Sequence, residues 1–540
     1  MTDFKLPALA PDAEPEFIDA DTCKAWLENI PLANTAAAQR DLLREIEEFN
    51  RFPTRAVTRL AVLEAIREAV HFVQIEQAKR FTNRALPMAE AETAVFVDTL
   101  ELWSQMQIGY LRCLEGGGAG DAALRGQAAT VCQRALVYAG LQMFHHYRAY
   151  REVPASAWGA LHKVYAHAES LGVAEEAVKD YLNRDVHDTS PRIAYVRALL
   201  MGLANPNELA QRQLTFVAFL LERWGEKVGV VREVPEWSDV PPLAVDLAGD
   251  GLPERIDVDA AQAAALHYLD TSRLAKSLRN RVGLLRKGES PARLALGEDC
   301  VQPSCEQLLV FLYRQWCQAR AQRAGERRRV ADAAQACNHL EAIHYYISGV
   351  VFRQPGEQKE LTKKQREEIA TFGRVSTRDE DDYSQVRGFL LEHWQVEDES
   401  VQGLRMARRA GNPGKRFSHG QLVGVRTADA KNFMLGQVRW LMSASNGDLQ
   451  CGLKLLPGLP AAIAVRATGV NAMNEKFVPA ITLTAVPQLN VPPVLLLPAA
   501  WYKPKRVIEA WVDGPIRVRL LEVLERGTDF ERVVYEMLAD

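Results

Sequence analysis

Hydrophobic residues recur every three or four positions through most of the first 222 residues. In the segment "AAQRDLLREIEEFN" they form one stripe, made of Leu42, Leu43, Ile46 and Phe49. That spacing is typical of an amphipathic helix with one face on a hydrophobic core. Similar segments follow, among them "AETAVFVDTLELWSQMQIGYLRCL" and "NELAQRQLTFVAFLLERW". This part of the chain is therefore predicted to be a large helical domain.

The pattern changes after residue 225. "KVGVVREV", "PPLAVDLAG" and "PERIDVD" are short runs of β-forming residues separated by proline and glycine, which favours short strands. Helical spacing returns in "AAQAAALHYLDTSRLAKSLRNRVGLL" and over residues 304–348. The charged tract "RQPGEQKELTKKQREE" has no hydrophobic periodicity and is predicted to be a connector.

From residue 383 onward, hydrophobic and polar residues alternate in short runs such as "GQLVGVR" and "FMLGQVRWLM". Five short strands at this spacing predict a small antiparallel β-barrel, and a second β-rich block follows it. The predicted fold class is multidomain α+β. Its parts are an irregular N-terminus (1–18), a helical domain (19–225), a mixed segment of short strands and then helices (226–352), a connector (353–382), a β-barrel (383–470) and a β-rich C-terminal extension (471–540).

Charge and hydropathy limit the partners of the protein. The formal net charge is −4, so no broad basic field favours nucleic acid or an acidic membrane surface. The tract "VPPVLLLPAAWY" is too short to span a bilayer, and the N-terminus has no basic start followed by an apolar run. Neither nucleic acid nor a membrane is expected as a partner, and the protein is expected to be cytoplasmic.

The eight cysteines are scattered and never occur as Cys-x-x-Cys. Cys300 and Cys305 are the nearest pair, and no second pair lies at the spacing of a zinc site. Scattered free thiols are typical of a reducing compartment. No metal and no cofactor are therefore expected.

The sequence has no motif typical of an enzyme, such as Gly-x-Ser-x-Gly or His-Glu-x-x-His. His145 and His146 are adjacent in a helical segment, so they point in different directions and a packing or surface role is favoured. His339 and His344 in "CNHLEAIHYY" are five residues apart and poorly aligned, so an ordinary helix face is favoured for them. No catalytic residue is assigned, and the protein is predicted not to be an enzyme.

A basic run, "RQWCQARAQRAGERRRVADAAQ", contains six arginines. Five of them are concentrated within ten residues, namely Arg320, Arg323, Arg327, Arg328 and Arg329. A surface for nucleic acid is one interpretation, but the arginines are not interleaved with the aromatic residues on which single strands stack. A solvated helix or an anchor between domains is favoured.

An arginine pair stands ahead of an Asp-x-Ser-x-x-Gly motif. Arg374 and Arg378 precede "DESVQG", which supplies Asp398, Ser400 and Gly403. The spacing Arg-x-x-x-Arg also occurs at 80/84, 323/327 and 405/409. The Asp-x-Ser-x-x-Gly motif occurs once, and the pair at 374/378 directly precedes the β-patterned segment that carries it. This combination is more specific than either part alone.

The combination fits a ligand that is both anionic and guanine-like. Guanidinium groups bind phosphate oxygens and the O6/N7 edge of guanine with paired donors, and they stack on purines. Asp398 and Ser400 face the same side of a strand, where a carboxylate can accept hydrogen bonds from guanine N1–H and the amino group. Gly403 permits a sharp backbone turn. The alternative is a strand-end turn in which Asp398 and Ser400 bind nearby backbone amides.

On these residues, the region from about 370 to 470 resembles the PilZ domain, the bacterial module that binds cyclic di-GMP. In that family, Arg-x-x-x-Arg lies in a segment just before the barrel and Asp/Asn-x-Ser-x-x-Gly lies on the strands that follow. The resemblance implies a small barrel with cyclic di-GMP as its ligand. It also implies that Arg374 and Arg378 hold phosphates and guanine faces, that Asp398 and Ser400 contact a guanine edge, and that Gly403 shapes the turn.

Three hypotheses follow from the sequence. The first is a non-enzymatic cyclic di-GMP effector whose helical region contacts a protein partner in motility, biofilm or exopolysaccharide control. The second is an interaction scaffold whose barrel binds no nucleotide, which the acidic run "DEDDY" next to Arg378 favours. The third is an enzyme or nucleic-acid binder that the barrel regulates, and it rests only on the basic run and the histidines.

Overall fold

The computed structural model describes residues 4–117, 124, 126–235, 240, 242–255, 266–318, 328–356, 387–469 and 475–538. The chain divides into two compact units. The first comprises Met1–Arg84 and Met88–Arg323, and the second comprises Ala85–Pro87 and Ala324–Asp540. Helices dominate the first unit and β-strands dominate the second. The predicted order, a helical region followed by antiparallel barrel structure, is confirmed.

The helices of the first unit share one hydrophobic core. They are α1 (Ala20–Leu27), α2 (Thr35–Arg51), α3 (Ala56–Ala78), α4 (Glu90–Gly117), α5 (Ala128–Arg148), α6 (Ala155–Ser170), α7 (Pro191–Leu203) and α8 (Gln211–Trp224). Asp19 caps α1 by accepting hydrogen bonds from the N–H groups of Asp21 and Thr22, which no helix carbonyl reaches. Ser190 caps α7 in the same way. No helix in the described part of the chain is long and apolar enough to cross a membrane.

Paired charges lie inside this helical core. Arg67 on α3 donates to Asp180, with 2.9 Å between Nη2 and Oδ1, and Arg134 on α5 donates to Glu64 at 3.0 Å. Both arginine side chains are buried. Buried charges are tolerated when they are paired and hydrogen-bonded. The network therefore ties the loop that carries Asp180 to two helices.

A small sheet and two helices complete the first unit. The sheet has the strand order β3 (Gly229–Val231), β6 (His267–Asp270), β4 (Leu243–Val245) and β5 (Glu254–Arg255), after a two-stranded β1 (Val178–Lys179) and β2 (Asp188–Thr189). The helices are α9 (Ser272–Arg286) and α10 (Ser304–Cys317). The helix predicted upstream of α9 is wrong for His267–Asp270, which is strand β6. Cys300 and Cys305 form a disulfide at the start of α10. The expectation of free thiols is therefore wrong for this pair, whereas the other six cysteines are free and buried.

The second unit contains two closed antiparallel barrels of six strands each. The first barrel is formed by β7 (Arg328–Asn338), β8 (Glu392–Ser400), β9 (Gly403–Arg408), β10 (Leu422–Thr427), β11 (Met434–Ser443) and β12 (Leu449–Leu455). Its strand order is β10-β11-β12-β9-β8-β7, with β7 and β10 closing the ring. Arg408 and Glu392 form an ion pair in its interior, and both side chains are buried.

The first barrel begins earlier than the sequence predicts. Helix is predicted throughout 304–348, yet Arg328–Asn338 is a barrel strand. The strand sequence "RRVADAAQACN" is rich in alanine and arginine, which favour helix in isolation. Pairing with β8 on one side and β10 on the other overrides that local preference. The solvated helix proposed for Arg328 and Arg329 is therefore wrong, and the barrel strands extend from Arg328 to Leu455 rather than over 383–470.

The predicted connector occupies an unexpected place in the topology. β7 ends at Asn338, β8 begins at Glu392, and the two strands are antiparallel neighbours in the same barrel. The chain between them contains α11 (Leu340–Ser348) and the predicted connector, 353–382. That segment is therefore an insertion between two barrel strands and does not link the helical region to the barrel.

The β-rich extension is a second barrel. Its strands are β13 (Pro460–Ala467), β14 (Val478–Leu483), β15 (Val494–Pro498), β16 (Val507–Trp511), β17 (Pro515–Arg526) and β18 (Phe530–Met537), in the order β13-β14-β15-β18-β17-β16. Ile343 on α11, Leu435 on the first barrel and Ile481 on the second belong to one buried apolar cluster. The two barrels and α11 therefore pack as a single body.

Candidate functional site

The Asp-x-Ser-x-x-Gly residues lie on the hairpin that joins β8 to β9. Ser400, the last residue of β8, pairs with Gly403, the first residue of β9. The Ser400 hydroxyl donates to the Gly403 carbonyl oxygen at 3.3 Å. Asp398 pairs with Arg405 on β9. Asp398 and Ser400 therefore face the same side of the barrel wall, and both are half-buried.

Gly403 is required by a close approach between strands. A Cβ atom at this position would lie 2.5 Å from the carbonyl oxygen of Leu453 on β12. Gly403 is not one of the glycines with left-handed backbone, so the turn itself does not demand glycine. The motif glycine lets β9 lie against β12 and thereby fixes the hairpin that carries Asp398 and Ser400.

The first residues of β7 bring positive charge to this motif. Arg328 pairs with Glu399, and its Nη2 lies 2.6 Å from the Glu399 Oε1. The hydrogen bond to this carboxylate raises the pKa of Arg328 above its usual value. Arg329 is the cross-strand neighbour of Asp398. The motif therefore lies beside two arginines for which the sequence predicts a helix. A signal that points to this pairing is the match between the basic run "ERRR" and the acidic run "VEDES".

Arg374 and Arg378 lie outside the described residues, as does the acidic run at 379–382. The described chain resumes at residue 387 and enters β8 at Glu392. The structure thus brings together three of the five predicted ligand-binding residues, Asp398, Ser400 and Gly403.

The first unit contains a cavity of about 200 Å³ between α5, α7 and α8. Its walls are mostly apolar and include Val137, Gly140, Leu141, Phe144 and Met201. At one side of the cavity, Nη2 of Arg197 lies 3.6 Å from Oε1 of Glu222. Burial raises the pKa of Glu222. None of the motif residues lines this cavity.

Of the histidines considered from the sequence, His145 and His344 are buried packing residues, whereas His339 is exposed. His145 is 3% exposed, and its ring centroid lies 6.0 Å from the ring centroid of Trp103. Burial lowers the pKa of His145 to about 3. His344 is buried, with its Nε2 3.2 Å from the carbonyl oxygen of Ile463. Within the described ranges, no three His, Cys, Asp or Glu side chains are grouped to hold a metal ion.

Known proteins match both ends of the chain. A family model described as "Cyclic-di-GMP receptor FimW, N-terminal domain" matches residues 21–233, and one described as "FimW C-terminal beta-barrel domain" matches residues 463–538. A Pseudomonas aeruginosa protein named "Cyclic-di-GMP receptor FimW" is 23% identical over 559 aligned residues, which cover 96% of this chain and 89% of that protein. The chain is similar to FimW over most of its length.

The two FimW models match separate parts of this chain and leave the region between them unmatched. The N-terminal model spans the helices from α1 to α8, and the C-terminal model spans the second barrel. The first barrel, with Asp398, Ser400 and Gly403, lies between the two matched ranges. Because the similarity to the P. aeruginosa FimW covers 96% of the chain, it includes most of this first barrel.

Proposed function

We propose that the protein is a cytoplasmic, non-enzymatic receptor for cyclic di-GMP that holds its ligand on the first barrel. The observation that carries this proposal is the meeting of Asp398, Ser400 and Gly403 on one hairpin, beside Arg328 and Arg329 at the start of β7. The similarity to the FimW receptor and the resemblance to the PilZ domain both support the same ligand. No cofactor is part of the proposal.

Cyclic di-GMP carries two guanines and two phosphates, so its site needs carboxylate and guanidinium groups together. In the proposed site, Asp398 accepts hydrogen bonds from N1–H and the amino group of one guanine, and Ser400 contacts the same edge. An arginine pair holds phosphate oxygens and a guanine face. Gly403 keeps the hairpin against β12, because any side chain there would meet Leu453.

Two arginine pairs are candidates for the phosphate contacts. Arg374 and Arg378 are the pair proposed from the sequence. The position of β7 adds Arg323 and Arg327, because a barrel that starts at Arg328 places this second Arg-x-x-x-Arg directly before the barrel in the chain. That is the order found in the PilZ pattern. Arg328, the next residue after Arg327, pairs with Glu399 beside the motif, which favours the second pair.

The output of the receptor is proposed to pass through the helical region to a protein partner, in control of motility, biofilm formation or exopolysaccharide. The helical region is favoured because it forms a compact unit of its own and carries no motif residue. An interaction scaffold with a barrel that binds no nucleotide is the second candidate. The acidic run at 379–382 favours that candidate, since carboxylates repel a phosphate ligand.

Calorimetric titration of the full chain with cyclic di-GMP tests the proposal. Binding is expected in the micromolar range or tighter, about 8 kcal/mol. Linear GMP and cyclic di-AMP are expected to bind far more weakly, because the first lacks the second guanine and adenine lacks the donors that Asp398 would meet. No heat at high micromolar cyclic di-GMP would leave the scaffold as the better description.

Alanine variants identify the arginine pair. Each arginine that contacts the ligand contributes charge-assisted hydrogen bonds of about 1.5–3 kcal/mol, so its loss is expected to weaken binding by more than tenfold. The variants are R374A, R378A, R323A and R327A, with D398A as a motif variant. Arg80→Ala is the control, since Arg80 lies in an unrelated Arg-x-x-x-Arg at the end of α3 and hydrogen-bonds Gln77. Equal affinity in all of these variants would mean that the motif is a coincidence.

A further inference from the structure

We infer that the outward side of α9, in the first unit, is a docking surface for a short acidic segment of a partner protein. We name it the α9 face, and it consists of five cations: Arg273, Lys276, Arg279, Arg286 and Lys287. This inference rests on the proposed output through the helical region, and it adds the surface and the chemistry of the partner to that proposal.

The segment from Ser272 to Lys287 is strongly basic. It contains six arginines and lysines and no carboxylate, whereas the whole chain has a formal net charge of −4. Asp270 begins the helix by accepting a hydrogen bond of 2.9 Å from the N–H of Ser272, a group that no helix carbonyl reaches. The helix therefore concentrates positive charge on a slightly acidic protein.

The helix turns its apolar side to the core and its cations to solvent. Leu274, Leu278 and Leu285 are buried in the hydrophobic core of the first unit. The five cations of the α9 face are exposed. Because they recur at helical spacing, they lie on one side of the helix, and the distance along the axis from Arg273 to Lys287 is about 21 Å.

Three cations of the α9 face have no ion-pair partner. In the part of the chain that the structure describes, no carboxylate lies within ion-pair distance of Arg273, Lys276 or Lys287. Arg44 on α2 shows the opposite arrangement, since its exposed guanidinium lies 2.8–3.8 Å from three carboxylates. An exposed cation without a local carboxylate keeps its charge available to an anionic partner.

The other two cations and a glycine shape the face. Nε of Arg286 lies 2.8 Å from Oε1 of Glu306 on α10. The guanidinium carbon of Arg279 lies 6.0 Å from the ring centroid of Tyr313 on α10. A Cβ atom at Gly283, on the same side of α9 as the cations, would meet no atom outside its own stretch of helix within 4 Å. The space above the helix is therefore open to a partner.

The chemistry of the α9 face favours an acidic protein segment over other polyanions. Insertion into a membrane requires an exposed apolar side, and the apolar side of α9 is buried in the core. Single-stranded nucleic acid binds where aromatic rings accompany the cations, and α9 contains no aromatic residue. A long duplex would extend beyond the face onto a protein of net negative charge. A short segment rich in aspartate and glutamate meets only the cations.

Fluorescence anisotropy of an acidic peptide with the full chain tests the inference. The probe is a fluorescein-labelled peptide of about fifteen residues, the length of a helix that spans the face, with glutamate at every third or fourth position. The control peptide has glutamine at those positions. The glutamate peptide is expected to bind and to lose affinity as salt is raised, because exposed charges are screened. No binding of the glutamate peptide, or equal binding of the glutamine peptide, would overturn the acidic partner.

Charge reversal identifies the surface. The variant R273E/K276E/K287E is expected to bind the glutamate peptide about tenfold more weakly or worse, because each change replaces an attraction by a repulsion. The neutral variant R273Q/K276Q/K287Q is expected to show a smaller loss. It keeps the test available if the reversal variant does not fold, which circular dichroism checks.

The matched control is K24E/R40E/K79E, which changes the net charge by the same amount at exposed positions on α1, on α2 and at the end of α3. This variant is expected to bind the glutamate peptide as wild type does. Equal losses in the control and in the α9 reversal variant would mean that net charge alone attracts the peptide, and would overturn the α9 face. Tighter binding of duplex DNA or of phosphatidylserine vesicles, lost in the α9 reversal variant, would overturn the protein partner.

Titration with cyclic di-GMP separates this inference from the receptor function. The α9 reversal variant is expected to bind cyclic di-GMP as wild type does, because α9 belongs to the first unit and the motif belongs to the second. A wild-type chain that binds the glutamate peptide but not cyclic di-GMP would overturn the receptor function and support the α9 face. A chain that binds cyclic di-GMP but not the peptide would support the receptor function and overturn the α9 face.

Discussion

The two barrels of the second unit share one architecture but differ in what their strands carry. Both close six antiparallel strands into a ring. The interior of the second barrel is an apolar cluster that includes Val465, Leu497 and Val518. The interior of the first barrel contains the buried ion pair of Arg408 and Glu392. Barrel closure is thus compatible with either kind of interior.

The barrels also differ in their continuity along the chain. The longest link between consecutive strands of the first barrel is the insertion after β7, from residue 339 to residue 391. Consecutive strands of the second barrel follow one another within about ten residues. The insertion and the motif hairpin flank β8 at opposite ends of that strand. The first barrel therefore carries a long insertion and the motif hairpin on either side of one strand, whereas the links of the second barrel are short.

The largest expected contrast concerns the two interiors. Arg408→Ala leaves Glu392 buried without its partner, and breaking a buried ion pair costs about 3–5 kcal/mol. The matched variant Arg519→Ala removes one side of an exposed pair in the second barrel, where Arg519 and Glu536 are 42% and 44% exposed, at a cost of about 0–1 kcal/mol. Hydrogen exchange during urea denaturation measures both losses, at the β8 and β9 amides for Arg408→Ala and at the β17 and β18 amides for Arg519→Ala. Equal losses in the two variants would mean that burial of the Arg408–Glu392 pair adds nothing to the stability of the first barrel.

A smaller contrast concerns two glycines. Gly403→Ala places a methyl group 2.5 Å from the Leu453 carbonyl oxygen, so β9 must shift at a cost of about 1–3 kcal/mol. The affinity for cyclic di-GMP is also expected to fall, because a shift of β9 moves Asp398 and Ser400. Gly514, just before β17 of the second barrel, has open space around its Cβ position, so Gly514→Ala is expected to stay within about 0.5 kcal/mol of wild type. Thermal unfolding and calorimetry measure both effects, and a neutral Gly403→Ala would contradict the close-approach explanation.

Local patterns predicted the helical region and the later strands of the first barrel. The stripe of α2 and the alternation in β10 arise from residues close together in the sequence, and each pattern matches the buried face that the element presents to its core. The motif on β8 and β9 was also recognisable, because Asp, Ser and Gly at this spacing form a rare combination over only six residues. The structure places these residues together as the pattern implied.

Features that depend on distant pairing were not predictable. β7 is stabilised by partners more than fifty residues away in the chain, and its alanine-rich sequence gives the wrong local preference. Without that strand, the sequence predicts a connector where the chain has an insertion between strands, and it predicts a helix for Arg328 and Arg329. The pairing of Arg329 with Asp398 was not predictable for the same reason, because only the register of β7 and β8 brings the two residues together.

The insertion between β7 and β8 gives the last way to sharpen the comparison. If Arg374 and Arg378 hold the ligand, cyclic di-GMP must fix the segment 353–384 against the first barrel. At a ligand concentration of about ten times Kd, amide hydrogen exchange that can occur only after the ligand has dissociated is slowed by about tenfold. Hydrogen exchange and tryptic cleavage of "KELTKKQREE" in this segment are therefore expected to slow by that factor.

The second barrel supplies the control for this experiment, because its amides in β14 and β15 lie outside the proposed site. Their exchange is expected to stay constant when ligand is added. If the pair that binds is Arg323 and Arg327, protection is expected at 318–330 instead, and cleavage in the insertion proceeds at its unliganded rate. A ligand shifts a conformational equilibrium only through its different affinity for the two states. The location of protection therefore identifies the segment that changes state on binding, and uniform protection of both barrels would contradict a site on the first barrel alone.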